Sequence, residues 1–267
     1  MCPRLLTLYG PIAIQSYGFM IVIGLLAFLG LTYYHPRRAK IIAGDVYLNT
    51  VFAGLLVGVI GGRVLGVVAD WSSFKLNPIE IFCPWVGGFV VLGAIVGIVA
   101  VMPIYLWWHK IDVLKLFDFV AVYAPLMQSI ARFGCLFAGC CYGAVAATQA
   151  WWTITFTSVE AHIPAHLLGV PLLPAQLYAA AASAGIFGMM LLLQGRFTRI
   201  GQSICCYLMC ENIARFSVDF WRGDRGKLYS VLSLQLSQFQ IYSLLFFVFC
   251  VGMFLYVTLR GKSVTID

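Results

Sequence analysis

Charge is what this chain has least of. Only 10% of its 267 residues are Asp, Glu, Lys or Arg, against 62% hydrophobic, and so few solvating groups cannot cover a globule of this size in water. Histidine is scarce as well. There are four, none beside any of the nine cysteines, so zinc spacing is absent and neither a metal nor a cofactor is expected. No basic arm with interleaved aromatics is present, which argues against nucleic acid as a partner. A fixed-period repeat, a low-complexity tract and a separate polar domain are all missing. Cys2 follows no apolar segment and so is not a lipobox cysteine. The first apolar run, from about Pro11 past Leu31, is too long for a secretory core and lacks a small-residue cleavage site, so it is expected to remain as a membrane span.

Long apolar runs fill the rest. Segments of bilayer-spanning length lie at 11–34, 46–69, 86–108, 115–135, 173–194, 203–221 and 238–259. They predict an all-α, multi-pass membrane protein of about seven transmembrane helices, a single transmembrane domain over 1–267 with a long loop at about 136–172. Aromatics at 15% fit interfacial belts, and the net charge of +7 fits loops lying against anionic membrane lipid.

The lysines and arginines set an orientation. Arg37, Arg38, Lys40, Lys110, Lys115, Arg196, Arg199, Arg260 and Lys262 fall on one side, and Arg4, Lys75, Arg222, Arg225 and Lys227 on the other. The richer side is expected to be cytoplasmic, which puts the N-terminus outside, the C-terminus inside and the long loop outside. Arg63, Arg132 and Arg215 fall within spans two, four and six. All three lie in the outer halves, at one depth. A voltage sensor would carry its arginines at helical spacing on one segment. Three cations from three helices instead suggest a pocket for an anionic lipid headgroup or phosphate, unless each pairs separately with Asp118, Asp219 or Glu211.

The stretch Ala131–Gly143, A-R-F-G-C-L-F-A-G-C-C-Y-G, sets Arg132 before three glycines and three cysteines. Glycine permits close approach of a backbone or a ligand, and an arginine at membrane depth implies a partner. A small-residue helix seam is the simpler alternative. Tyr17, Gln176 and Tyr178 arrive at the same level from the first and fifth spans. Glu211, Arg215, Asp219 and Arg222, spaced by four, four and three, form a charged stripe on the sixth. Asp118 opens the fourth span, where a carboxylate is also a routine cap.

Taken in order, Y-G-F-M at 17–20, G-G-R at 61–63, G-G-F-V-V-L-G-A-I-V-G at 87–97, the arginine–glycine–cysteine stretch, P-A-Q-L-Y at 174–178 and A-R-F-S-V-D-F-W-R at 214–222 resemble the prolipoprotein diacylglyceryl transferase family across nearly the whole chain. The resemblance implies a transferase of the bacterial cytoplasmic (inner) membrane, acting in lipoprotein biosynthesis. Such an enzyme moves the diacylglyceryl group of phosphatidylglycerol to the lipobox cysteine beside a prolipoprotein signal peptide, forming a thioether and releasing glycerol phosphate. It implies Arg132 and Arg215 as catalytic, with Tyr17, Arg63, Gly134, Cys135, Gly139, Cys140, Gln176, Tyr178, Asp219 and Arg222 around the substrate. Asp118 falls on the acid that precedes the signature arginine.

The chain departs from the family pattern at several of these places. Cys135, Ala138 and Cys140 stand where Asn, Asn and Glu are common, Leu92 where a histidine often stands, and Glu211 in place of a tyrosine. It resembles a divergent, cysteine-rich branch. Two other readings share the arginine pocket: transfer of a lipid group to another acceptor, and a non-enzymatic lipid binder or transporter, for which no inverted repeat is visible. Cys135, Cys140 and Cys141 admit three roles, as covalent acceptor, disulfide pair or small packing residues, with packing preferred. Trp151, Trp152, His162 and His166 read as interfacial anchors, or else as part of an acceptor-binding arm.

Overall fold

The computed structural model describes residues 3–9, 12–83, 88–231 and 234–263. A hairpin of β1 (Arg4–Tyr9) and β2 (Ile12–Gln15) precedes α1 (Ser16–Tyr33). The chain continues through α2 (Pro36–Ile41), α3 (Gly44–Ala69), the single turn α4 (Trp71–Phe74), α5 (Val91–Trp108) and α6 (Val113–Ala138). The long loop carries β3 (Ile154–Thr155) and β4 (Pro171–Leu172). Then follow α7 (Ala175–Leu193), α8 (Gln202–Asp219), the hairpin of β5 (Leu228–Val231) and β6 (Leu234–Ser237), and α9 (Gln238–Arg260).

Every expected span is a helix, with two corrections. The first run does not begin as helix: Ile12–Gln15 is strand, and α1 starts at Ser16, whose amide and hydroxyl both donate to the Pro3 carbonyl. Pro11, Cys2 and Gly87 lie outside the described residues. The second correction concerns α8. Among the described residues six helices, α1, α3, α5, α6, α7 and α9, are long and apolar enough to cross a membrane. α8 is as long, but Gln202, Ser203, Glu211, Asn212, Arg215, Ser217 and Asp219 lower its mean hydropathy, so it is not counted with those six by composition. Large side chains such as Leu245, Val248 and Phe249 on α9 and Val99 and Ile104 on α5 are more than half exposed. Apolar surface of that extent belongs against acyl chains, and the chain is a multi-pass membrane protein.

The chain forms two compact units. In the smaller, residues 33–116, α3 packs along α5 through glycines. A Cβ on Gly61 would stand 2.5 Å from the Gly93 carbonyl oxygen, and one on Gly93 would overlap the Gly61 carbonyl. This seam is what the G-G-R and third-span glycine motifs encode.

The larger unit, residues 1–32 and 117–267, holds the remaining long helices. Gly24 of α1 lies on Met127 of α6 and Tyr17 on Gly134, so the two helices cross antiparallel where glycine admits a neighbouring backbone. Ser129 of α6 donates to the Ala180 carbonyl of α7 at 2.9 Å, and α8 packs on both α7 and α9. α9 opens with a capping box: the Ser237 hydroxyl takes the Gln240 amide, and the Gln240 side chain takes the Ser237 amide. Such a cap is worth about 0.5–2 kcal/mol. Asp118 caps a different helix from its own, accepting the Gly201 and Ile204 amides at the start of α8.

Candidate active site

The site is built by the turn that ends α6. Gly139 takes the left-handed conformation (φ +78°), and both its amide and that of Cys140 close on the Cys135 carbonyl, at 3.0 and 3.1 Å. Glycine just past a helix end serves this geometry. Cys141 is also left-handed (φ +55°), an uncommon conformation for a residue with a side chain. Beyond it the chain runs between two others. The Ala144 amide donates to the Trp221 carbonyl and the Gly223 amide to that of Tyr142, while on the other edge Leu173 donates to Ala144 and Ala146 to Pro171. Gly143 is pressed so closely on this edge that a Cβ there would overlap the Leu173 carbonyl oxygen. The end of α6, the start of α7 and the exit of α8 are thus tied at one point by main-chain bonds.

Beside that knot lies a pocket with Arg132, Cys141, Gln176, Glu211, Arg215 and Arg222 supplying its polar wall and alanines of α7 and α8 the apolar one. The three guanidiniums differ in what holds them. Arg222 is gripped by Asp224 through two hydrogen bonds of 2.8 and 2.5 Å. Arg215 stands 3.6 Å from Asp219 and lies over the Phe239 ring at 5.2 Å. Among the described residues Arg132 has no ion-pair or hydrogen-bond partner. Apart from the nearby thiols, its charge is left to whatever enters the pocket.

Asp219 is the hub behind the wall. It is fully buried, receives the Ser237 hydroxyl at 2.6 Å, and stands 3.6 Å from both Arg215 and Arg225. Arg225 reaches on to Gln240, whose amide donates to the Phe216 carbonyl. Glu211 is held by the Gln128 side chain, which in turn accepts the Tyr207 hydroxyl at 3.2 Å. Gln176 donates to the Cys140 carbonyl at 2.9 Å, while its own buried side-chain oxygen has no partner. The members of the charged stripe expected on α8 therefore have different roles. Glu211 and Arg215 face the pocket, Asp219 braces it from behind, and Arg222 lies past the helix end at Asp219.

Cys135, Cys140 and Cys141 come together in this turn. Their sulfur atoms all lie within 4.8 Å of one another, and all three are free thiols. The neighbouring thiols, and then Arg222 and Arg132, hold the Cys141 thiol well below the usual thiol range despite its burial. Tyr17, half-buried, sits beside this cluster and Arg132.

Several other residues singled out from the sequence are held by neighbours within the protein. Gly134 and Gly139 serve packing and turn geometry, against Tyr17 and Met20 and against Ala161 respectively. Tyr178 packs edge-on against Trp221. In the smaller unit the Arg63 guanidinium, 8% exposed, donates to the main-chain carbonyls of Glu80, Ile81 and Cys83 and lies over the rings of Phe74 and Phe89. Leu92 is 61% exposed at the start of α5. The long loop is no loose arm: Phe156, Ala161, Ile163 and Leu172 form a small core of their own, and the His162 amide is tied to the Ala138 carbonyl. Trp151 stays exposed. Sequence reasoning missed Gln128, Asp224, Arg225 and the Ser237–Gln240 cap. Only the cap had a readable signal, the S-x-x-Q spacing ahead of an apolar run.

The sequence model of the prolipoprotein diacylglyceryl transferase family matches residues 3–256. The chain is 33% identical over 231 residues to phosphatidylglycerol–prolipoprotein diacylglyceryl transferase 2 of Clostridium perfringens, covering 85% of each chain. It is 31% identical to the phosphatidylglycerol–prolipoprotein diacylglyceryl transferase of Clostridium tetani, over 90% of this chain and 92% of that one. A protein of the same name from Dehalococcoides mccartyi is 26% identical over 95% and 93%. With a family match over nearly its full length and relatives above 30% identity, this chain belongs to the prolipoprotein diacylglyceryl transferase family.

Proposed function

We propose that the protein transfers the diacylglyceryl group of phosphatidylglycerol to the lipobox cysteine of prolipoproteins, in a bacterial cytoplasmic membrane and with the arginine pocket on the outer side. The observation that carries this reading is Arg132, a guanidinium on the pocket wall with no hydrogen-bond or ion-pair partner among the described residues, in the same pocket as Arg215 and Arg222. The acceptor thiolate attacks the glycerol carbon that bears the phosphoester. The carbon–oxygen bond breaks, a carbon–sulfur bond forms, and glycerol phosphate leaves with the electron pair.

Charge therefore accumulates on the phosphate oxygens as the transition state is reached. Fixed cations in a site shielded from bulk water stabilise that charge without reorganising, and one such donor is typically worth about two to three powers of ten in rate. In this assignment Arg132 contacts the phosphate directly. Arg215, held at a fixed place by Asp219 and Phe239, is the second contact, and Arg222, locked by Asp224, adds field. The orientation bias of the basic residues supports the outer placement, because the turn after α6 falls on the side with fewer lysines and arginines.

The test is release of labelled glycerol phosphate from phosphatidylglycerol by purified protein, with and without a lipobox peptide. Release that requires the cysteine peptide is the expected result. Release driven equally by an unrelated thiol or amine would mean a different acceptor, and no release at all would leave a lipid binder.

A further inference from the structure

We infer that Cys135, Cys140 and Cys141 form a three-thiolate site for a cation of the zinc class, with a fourth position open to the arginine pocket that takes the acceptor thiol. This rests on the transferase reading for the identity of the fourth ligand, and on the turn geometry alone for the site.

The geometry comes first. A tetrahedral centre with metal–sulfur bonds of about 2.3 Å holds its sulfurs roughly 3.8 Å apart. The three sulfurs here already lie within 4.8 Å of one another, so a shift of under about 1 Å completes the set. The left-handed backbone at Gly139 and Cys141 turns the chain back on the last turn of α6 and brings residues 140 and 141 over residue 135. Thiols that serve only as packing are found elsewhere in this chain, as Cys250 at 2% exposed. Cys141 instead lines the pocket, and three protein ligands with one open position is the arrangement of catalytic rather than structural zinc.

Charge supports the same assignment. Three thiolates around a divalent cation carry a net charge of −1, and Arg132 and Arg222, which line the same pocket as Cys141, offset it. Among the described residues no histidine lines the pocket, and its one carboxylate, Glu211, accepts from Gln128 through one oxygen while the other is buried without a partner. A thiol that binds the metal loses its proton to water outright. The metal-held thiolate then attacks the glycerol carbon, the phosphoester oxygen leaves with its electrons, and the neutral thioether, a weaker ligand, departs from the metal.

The experiment uses full-length protein in detergent, stripped with a chelator under reductant and titrated anaerobically with Co²⁺. One equivalent is expected to give a sulfur-to-cobalt charge-transfer band, competed away by Zn²⁺. Cys135→Ser, Cys140→Ser and Cys141→Ser should each weaken the band, the triple variant should abolish it, and Cys206→Ser with Cys210→Ser should keep it. Adding a lipobox peptide should raise the intensity by about a third, as three thiolates become four, and the same peptide with serine for cysteine should not. Absence of the band, or its persistence in the triple variant, overturns the site. A band indifferent to the cysteine peptide overturns its role toward the acceptor. An intact, peptide-responsive band in a protein that releases no glycerol phosphate would sustain the site and sink the transferase reading instead.

Discussion

Asp219 has great leverage on the pocket without lining it. Its carboxylate is fully buried, takes the Ser237 hydroxyl at 2.6 Å and stands 3.6 Å from Arg215 and from Arg225. Asp219→Ala leaves that hydroxyl without its acceptor and two guanidiniums uncompensated, their side chains 26% and 22% exposed. Breaking a buried charge pair by removing one partner costs about 3–5 kcal/mol. Partial access of both arginines to solvent places this case near the lower end, about 3 kcal/mol. In a chain of this size each kcal/mol moves the melting temperature by about 2–4 °C, so the expected fall is about 6–12 °C. A fluorescence melt of detergent-purified protein measures it. Asp219→Asn keeps the shape and an acceptor for Ser237 while losing the charge, so it should melt between the two and turn over slowly, because Arg215 loses its tether. An alanine variant that melts within about 2 °C of the parent would refute the hub.

Gly143→Ala should prevent correct folding, since its Cβ would overlap the Leu173 carbonyl oxygen and the main chain there is bonded on both edges; Gly185→Ala, with open space around its Cβ and a helical backbone, should gain about 0.5–1 kcal/mol, and relative melting temperatures check both. Arg63→Ala removes hydrogen bonds to three carbonyls and should lower the melting temperature while leaving KM for phosphatidylglycerol in the folded fraction within about twofold, on the scale where 1.4 kcal/mol is tenfold. A large rise in KM without loss of stability would return Arg63 to the lipid site.

The helices were legible because their apolar runs match the bilayer, and six of the seven long ones needed nothing more. α8 was harder: the run at 203–221 marked it as a span and the Glu211, Arg215, Asp219 spacing gave it a charged stripe, but its polarity has meaning only once Gln128, Ser237 and Arg225 are seen to receive it. The glycines of the 131–143 stretch announced a close approach, yet not by which chain, since residues 171–173 and 221–223 are remote in sequence. Arg63 and Arg132 looked alike as arginines within apolar spans. One is enclosed by carbonyls that follow it closely in the chain, and the other faces a pocket. The C-x4-C-C spacing matches no ordinary zinc pattern, and only the two left-handed residues bring the sulfurs together.

The central claim is that Arg132 meets the lipid phosphate directly. The measurement that tests it most directly compares Arg132→Lys and Arg132→Ala with the parent in glycerol phosphate release from labelled phosphatidylglycerol, with lipid binding measured alongside. A point-like ammonium on a shorter reach cannot reproduce the planar fork of a guanidinium. Both variants are therefore expected to lose about two to three powers of ten in rate while staying folded, with the lysine variant close to the alanine one. A lysine variant that works at the parent's rate would contradict it.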